Sequence, residues 1–553
     1  MKVTEKVPLE TLEAVLRMSR DPDTYKIFLS PGLASGCITL MATVEEGGKA
    51  SPFSYEYGYL CFRLLLFSLG ASLLSRSGDR KLEEVVRMME DPRYAICFIA
   101  DIFSARIAES LRNLVPLASQ QADCDWILGW GAPGPHPRYD QIISREQTKI
   151  LFNMLWEDRV NFLRAMFLTF TPGLSVLSFL NWRYTCLKKK SAEANHDLLK
   201  RTSEIQWRCL LVTTTNQDGL MIGITDHFCA MTKFVPAKGK SMFQKSEDPR
   251  GILEAYISRL APTNLAMYDS LSMAMLPALL ELVVPNLGTD VEDLLPTLFE
   301  VTLSRLWEAL REEECTYDSV IVCIALALEQ FRTMFKTLRA INITRPTIAR
   351  ILEELVQGSL LDFIASLFLL LNPDAEENTR EDNTNFNLIQ TTKAMIDELS
   401  MSSPLDLLKF YFRDYAMSWP RIYDQFDQLR FCTNDPRDRT ERHHLRDKHY
   451  RACMAMWTDL MEILGQEDNI QQSRELSGAC VYDQCQDPGG QGGLGAFYAC
   501  PRCLASSYCS TRCQIGDWNR GLHKKNCSQL AKLYEPANFK LLAEFAAHLA
   551  TQM

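Results

Sequence analysis

The chain opens without a secretory signal: Met1–Lys6 is polar and no apolar run follows it directly. That leads us to expect a reducing, intracellular compartment, cytoplasm or nucleus, in which cysteines stay thiols. Long hydrophobic runs are also missing. The best candidate, Gly58–Leu74, carries Arg63 and falls short of the roughly 20 residues a membrane span needs. It reads as a buried helix, and no membrane partner is expected. Positive charge is scarce relative to negative, with 59 Lys and Arg against 69 Asp and Glu, a net charge of −10. Such a balance disfavours general nucleic-acid binding, so no specific nucleic acid is expected as a partner. The basic run Lys188-Lys189-Lys190 does not separate nucleus from cytoplasm. A phosphate-binding glycine loop, a G-x-S-x-G elbow and an H-E-x-x-H motif are all absent, which leads us to expect no enzyme.

What is present is mostly helical patterning. At 553 residues, with 47% hydrophobic and 23% charged, the chain has globular composition and more length than one ordinary core needs. Leu9, Leu12, Val15 and Leu16 follow helical spacing; so do Val85, Val86, Met88 and Met89, then Ile150, Leu151, Met154 and Leu155, then Phe299, Leu303, Leu306 and Leu310. Between 250 and 371, short apolar helices alternate with breakers such as Pro262, Pro285 and Pro346. Pairs at a pitch of roughly 40 residues resemble HEAT or armadillo stacking. Without a repeat consensus, the reading is a mainly α chain with an irregular helical region over 1–460, long enough for two subdomains.

Four stretches carry separate expectations. Trp207–Ile224 is rich in β-branched residues around Asn216-Gln217-Asp218-Gly219 and reads as a short hairpin. Residues 372–387, acidic and Asn-rich, read as a loop. His443, His444 and His449 sit among alternating charges in Arg437–Arg451, read as a solvated helix or linker. Asp226-His227-Phe228-Cys229 reads as ordinary packing. A linker is placed at 461–479, and a helix over 528–553 with a break at Pro536.

The densest chemistry lies at 480–527, which holds seven of the 18 cysteines and one histidine. In order they are Cys480, Cys485, Cys500, Cys503, Cys509, Cys513, His523 and Cys527. Cys500-Pro501-Arg502-Cys503 is a knuckle in which two thiolates converge on one ion while turn N–H groups point at the sulfurs. Cys509 and Cys513 are spaced i, i+4, as are His523 and Cys527, so each pair shares a helical face. A disulfide framework has no use for the histidine. Eight soft ligands make two closed tetrahedral sites, for which Zn2+ is the usual occupant. The segment is glycine-rich and poor in large aliphatics, so metal must supply its folding energy, of order 10 kcal/mol per structural zinc. Arg502, Arg512, Arg520, Lys524 and Lys525 are read as offsetting the thiolate charge. With every position filled by protein, the zinc is structural.

Tyr508-Cys509, Cys513-Gln514, Asp517-Trp518 and His523-Lys524 complete a pattern that resembles the MYND-type zinc finger. The match covers all eight ligands and about a tenth of the chain. Three loops depart from the pattern: four residues inside the opening cysteine pair, a long Gly-rich loop at Gln486–Ala499, and four residues between Trp518 and His523. The resemblance implies interleaved sites, one from Cys480, Cys485, Cys509 and Cys513, the other from Cys500, Cys503, His523 and Cys527. The sequence also permits sequential ligation. By the same resemblance the finger grips a protein partner, such as a proline-containing peptide, beside Gln514 and Trp518. Trp518 reads equally as a shield for a zinc site.

The leading expectation is therefore a non-catalytic scaffold or adaptor. A methyltransferase is the alternative, because some MYND proteins carry a SET domain. The only Asn-His step, Asn195-His196, lacks the cysteine that a SET signature requires. A transcriptional cofactor is the third reading.

Overall fold

The computed structural model describes residues 7–78, 81–90, 99–115, 124–131, 138–187, 192–233, 245–265, 267–311, 317–375, 379–431, 441–466, 482, 498–500, 502–503, 506–508, 511–520, 523–525 and 527–528. Of these described residues 78% are helical, as the periodicity predicts. The helices are uneven, from four residues (Tyr25–Phe28) to 25 (Tyr317–Ile341). The chain divides into two compact units, Met1–Gln330 and Phe331–Met553.

The first unit is built on Glu56–Arg76. This is the one helix among the described residues long and apolar enough to cross a membrane, and 78% of its apolar window is buried inside the unit. Leu60, Leu64, Leu65, Leu69 and Leu73 cover several of its faces, so it needs neighbours all round. Pro31–Met41, Leu9–Met18 and Ile99–Arg112 supply them. Ser68 inside it is satisfied by donating to the Phe28 carbonyl at 2.7 Å. Arg145–Glu157 starts with a complete capping box, in which Ser144 accepts from the Gln147 N–H and the Gln147 side chain accepts from the Ser144 N–H. Trp182 donates to His227 Nδ1 at 3.2 Å, and the 226–229 stretch lies in the helix Asp218–Lys233, as ordinary packing predicts.

The hairpin read at 207–224 is not there. Ala192–Leu210 and Asp218–Lys233 are helices joined by a corner. Thr213, one of the residues that read as strand, donates to the Cys209 carbonyl at 2.6 Å and closes the first helix. Trp207 is buried and donates to the Ala278 carbonyl at 2.5 Å, so packing overrides local β preference. The described strands are two ribbons of two-residue strands. Glu45–Glu46 pairs with Lys49–Ala50 across Gly47 and Gly48, whose φ values of +60° and +81° suit a two-residue hairpin turn. The other ribbon lies in the finger.

In the second unit, Arg345–Gln357 and Leu360–Leu370 form the helix pair read from the sequence, turned at Ser359 (φ +56°). The loop read at 372–387 is corrected: from Arg380 onward it is the start of the helix Arg380–Ser402. Thr379 caps that helix by accepting from the Asp382 N–H at 3.2 Å, and buried Asn385 donates to the Asn372 carbonyl at 2.8 Å. The polar residues that read as loop are a cap and its ties. Tyr415–Phe431 packs on Glu441–Ile463, where the indole N–H of Trp419 and that of Trp457 each donate to the other's carbonyl at 3.2 Å. The histidine run is helical from Glu441. His444 is exposed, but His449 is half-buried against Tyr450 and Cys453 rather than solvated. The start of the linker read at 461–479 is corrected: Met461, Leu464 and Gln466 are buried in the body. Residues 467–479, and all but Ser528 of the helix read at 528–553, lie outside the described residues.

Candidate metal centre

A short ribbon and a helix assemble the finger. Tyr498–Ala499 pairs antiparallel with Ser507–Tyr508, and the Cys500 N–H extends the ladder to the Ser506 carbonyl at 2.9 Å. The turn between them carries Cys500 and Cys503. The helix Thr511–Arg520 follows and buries Cys513 and Asp517, four residues apart on one face. Tyr508 is fully buried and donates to Asp517 Oδ2 at 2.9 Å, tying ribbon to helix.

Cys500, Cys503, His523 and Cys527 converge, their ligand atoms all within 4.8 Å of one another. Each is at most 6% exposed. Cys500 Sγ lies 3.8 Å from Cys527 Sγ, and Cys503 Sγ lies 3.7 Å from His523 Nε2. A tetrahedral ion with bonds of about 2.3 Å to sulfur and about 2.0 Å to nitrogen sets S···S at ~3.8 Å and S···N at ~3.5 Å. The spacing therefore fits one zinc-sized ion and is far too long for a disulfide. Ser506 Oγ sits 3.0 Å from His523 Nδ1. With Nε2 facing the cluster, Nδ1 carries the proton and donates to Ser506, the arrangement in which a ligating imidazole is held in one tautomer.

The electrostatics match that use. Burial alone would raise the Cys500 thiol, but the Cys503 N–H, the His523 ring and the Arg502 N–H bring it down to about 7. Burial, with Cys500 and Cys503 beside it, pushes Cys527 up to about 12. Neighbouring thiolates resist one another's ionisation, and a divalent cation at their centre removes that penalty. Arg502, Arg512, Arg520, Lys524 and Lys525 are all exposed.

This is the grouping of the interleaved arrangement, since the second pair, Cys500 and Cys503, meets the fourth, His523 and Cys527. Of the other four ligand candidates, Cys513 is 8% exposed in the finger core, while Cys480, Cys485 and Cys509 lie outside the described residues. Gln514 and Trp518 are both half-buried on the helix. Trp518 packs on the finger core, its ring 5.9 Å from that of His523, so it screens the cluster with one face.

Two residues of the site were not read from the sequence. One is Ser506, which gives no signal beyond its place ahead of Tyr508. The other is Tyr482, which packs into the finger core against Gly516. A Cβ on Gly516 would stand 2.8 Å from the Tyr482 ring, so only glycine allows the approach.

No curated protein matches the chain. Residues 480–527 match the family model for the MYND finger. The segment holding this buried cluster is thus a MYND finger, a type of domain that mediates protein–protein interaction.

Proposed function

We propose that this chain is a non-catalytic adaptor whose helical body presents a MYND finger held by two structural zinc ions. One ion takes Cys500, Cys503, His523 and Cys527; the second takes Cys480, Cys485, Cys509 and Cys513. The observation that carries the reading is the closed four-ligand cluster, in which protein side chains supply a full tetrahedral set. Such a set leaves no position for a water to be activated, so its role is to fold the segment. When bound, the ion supplies crosslinking between the turn at Cys500 and the segment after the helix. Ser506 holds the imidazole, Tyr508 and Asp517 hold the helix on the ribbon, and the exposed cations temper the thiolate charge.

The docking element is the helix Thr511–Arg520. Its Trp518 packs on the core and is half-buried, with Gln514 one turn earlier and Ile515, 60% exposed, on the same helix. An apolar ring beside an amide suits an extended proline-containing segment, whose carbonyls accept while its rings stack. An array of proline-containing peptides probed with the intact chain and with Trp518→Ala tests this. Binding lost in the variant, at unchanged zinc content, supports the adaptor reading. Methyl transfer from labelled S-adenosylmethionine to candidate acceptors would replace it with the transferase alternative.

A further inference from the structure

The first unit contains a cavity of about 620 Å3 between the helices Leu9–Met18, Glu56–Arg76 and Ile99–Arg112. Its size falls in the range of small-molecule sites, about 300–1,000 Å3. The floor is apolar and largely aromatic. Tyr25, Phe67 and Phe103 meet there, with ring centroids 5.3, 5.9 and 4.9 Å apart, beside Leu60, Leu66 and Ile107. The remaining wall carries charge of mostly one sign: Arg17, Arg20 and Arg63 against the single carboxylate of Glu13. Glu13 is engaged by Arg17 at 3.2 Å. Among the described residues, no carboxylate lies within ion-pair distance of Arg20 or Arg63, and Arg63 stands over the Tyr59 ring at 5.9 Å.

The burial of the floor restricts the ligand. An α-helix with its side chains is about 10–12 Å across, and a partner that broad would need the floor open to solvent. Instead Tyr25, Leu60, Leu66, Phe103 and Ile107 are each 7% exposed or less. A slender chain is the shape that reaches them. We propose that this cavity binds a single-chain anionic amphiphile. Its alkyl chain lies on the aromatic floor, and its carboxylate or phosphate head pairs with Arg20 and Arg63. Guanidinium groups suit both heads through paired N–H donors, so the chemistry is shared by a free fatty acid and a lysophospholipid.

The test uses the full chain and calorimetric titration below the micellar concentration of each probe. Palmitate, lysophosphatidate with a 16-carbon chain, hexadecanol and laurate are the probes, and an acidic amphipathic helical peptide is the control. The proposal predicts saturable 1:1 binding of palmitate, of lysophosphatidate or of both, which distinguishes the two sources. Hexadecanol should bind at least about tenfold more weakly, and laurate more weakly by about fourfold per methylene lost from the apolar floor. The double variant Arg20→Gln and Arg63→Gln changes one exposed and one half-buried side chain and should keep the melting temperature. It should lose about tenfold or more in affinity for the anionic probes and nothing for hexadecanol. Leu16→Trp, which fills the cavity from its outer helix, should abolish binding of all of them. No saturable binding, equal affinity for palmitate and hexadecanol, no effect of the arginine variant, or binding of the helical peptide alone would each overturn the proposal.

Discussion

The hydroxyl of Tyr508 and the carboxylate of Asp517 are 2.9 Å apart, both buried, and join the finger's ribbon to its helix. Burial and the adjacent Asp517 hold the phenol far above its usual range, so it remains a donor at any working pH. Tyr508→Phe removes the donor and leaves a buried carboxylate short of a partner. The expected cost to finger stability is about 1–3 kcal/mol. It should appear as zinc release at a lower chelator concentration, with the helical signal of the body unchanged.

Ser506 reaches His523 from behind. Ser506→Ala should leave the four ligands in place but free the imidazole to rotate. A fall of about 10–100-fold in zinc affinity is expected, measured by competition with a chromophoric chelator. An unchanged affinity would mean that packing against Tyr508 and Trp518 orients the ring unaided.

Removing a ligand should act harder. Cys503→Ala and Cys513→Ala should each lower zinc content and unfold the finger, because about 10 kcal/mol of binding per ion stands in for a core. The far-UV signal of the body should stay. Trp518→Ala should retain zinc and weaken partner binding by about thirtyfold, the size of a 2 kcal/mol hot spot.

His449 provides a pH prediction outside the finger. Burial lowers it to about 4, although Asp374 and Asp382 pull the other way. The unfolded imidazole binds its proton near 6.5. Between these values the unfolded state carries more protons than the folded one, so stability is full above about 6.5 and declines as pH falls toward 4. His449→Phe should flatten this part of the profile of urea midpoint against pH.

The finger was legible because metal ligation fixes residue type and spacing together; Cys500, Cys503, His523 and Cys527 announce themselves. Their neighbours do not. Ser506 and Tyr482 act through position in space, which no spacing rule encodes. In the body, helical stripes such as Leu9 to Leu16 were readable, since amphipathic periodicity is written locally. Local preference does not settle two places. At the corner by Thr213, β-branched residues favour a strand and burial of Trp207 holds the helix; at the helix start by Thr379, threonine, asparagine and aspartate mark caps and loops alike and burial of Asn385 decides.

The central claim is that bound metal, rather than apolar burial or disulfides, folds residues 480–527. Elemental analysis of the full chain purified without chelator tests it directly. The account predicts two zinc ions per chain, and loss of both on Cys503→Ala with Cys513→Ala. Protein free of zinc, with those sulfurs oxidised to disulfides, would contradict it.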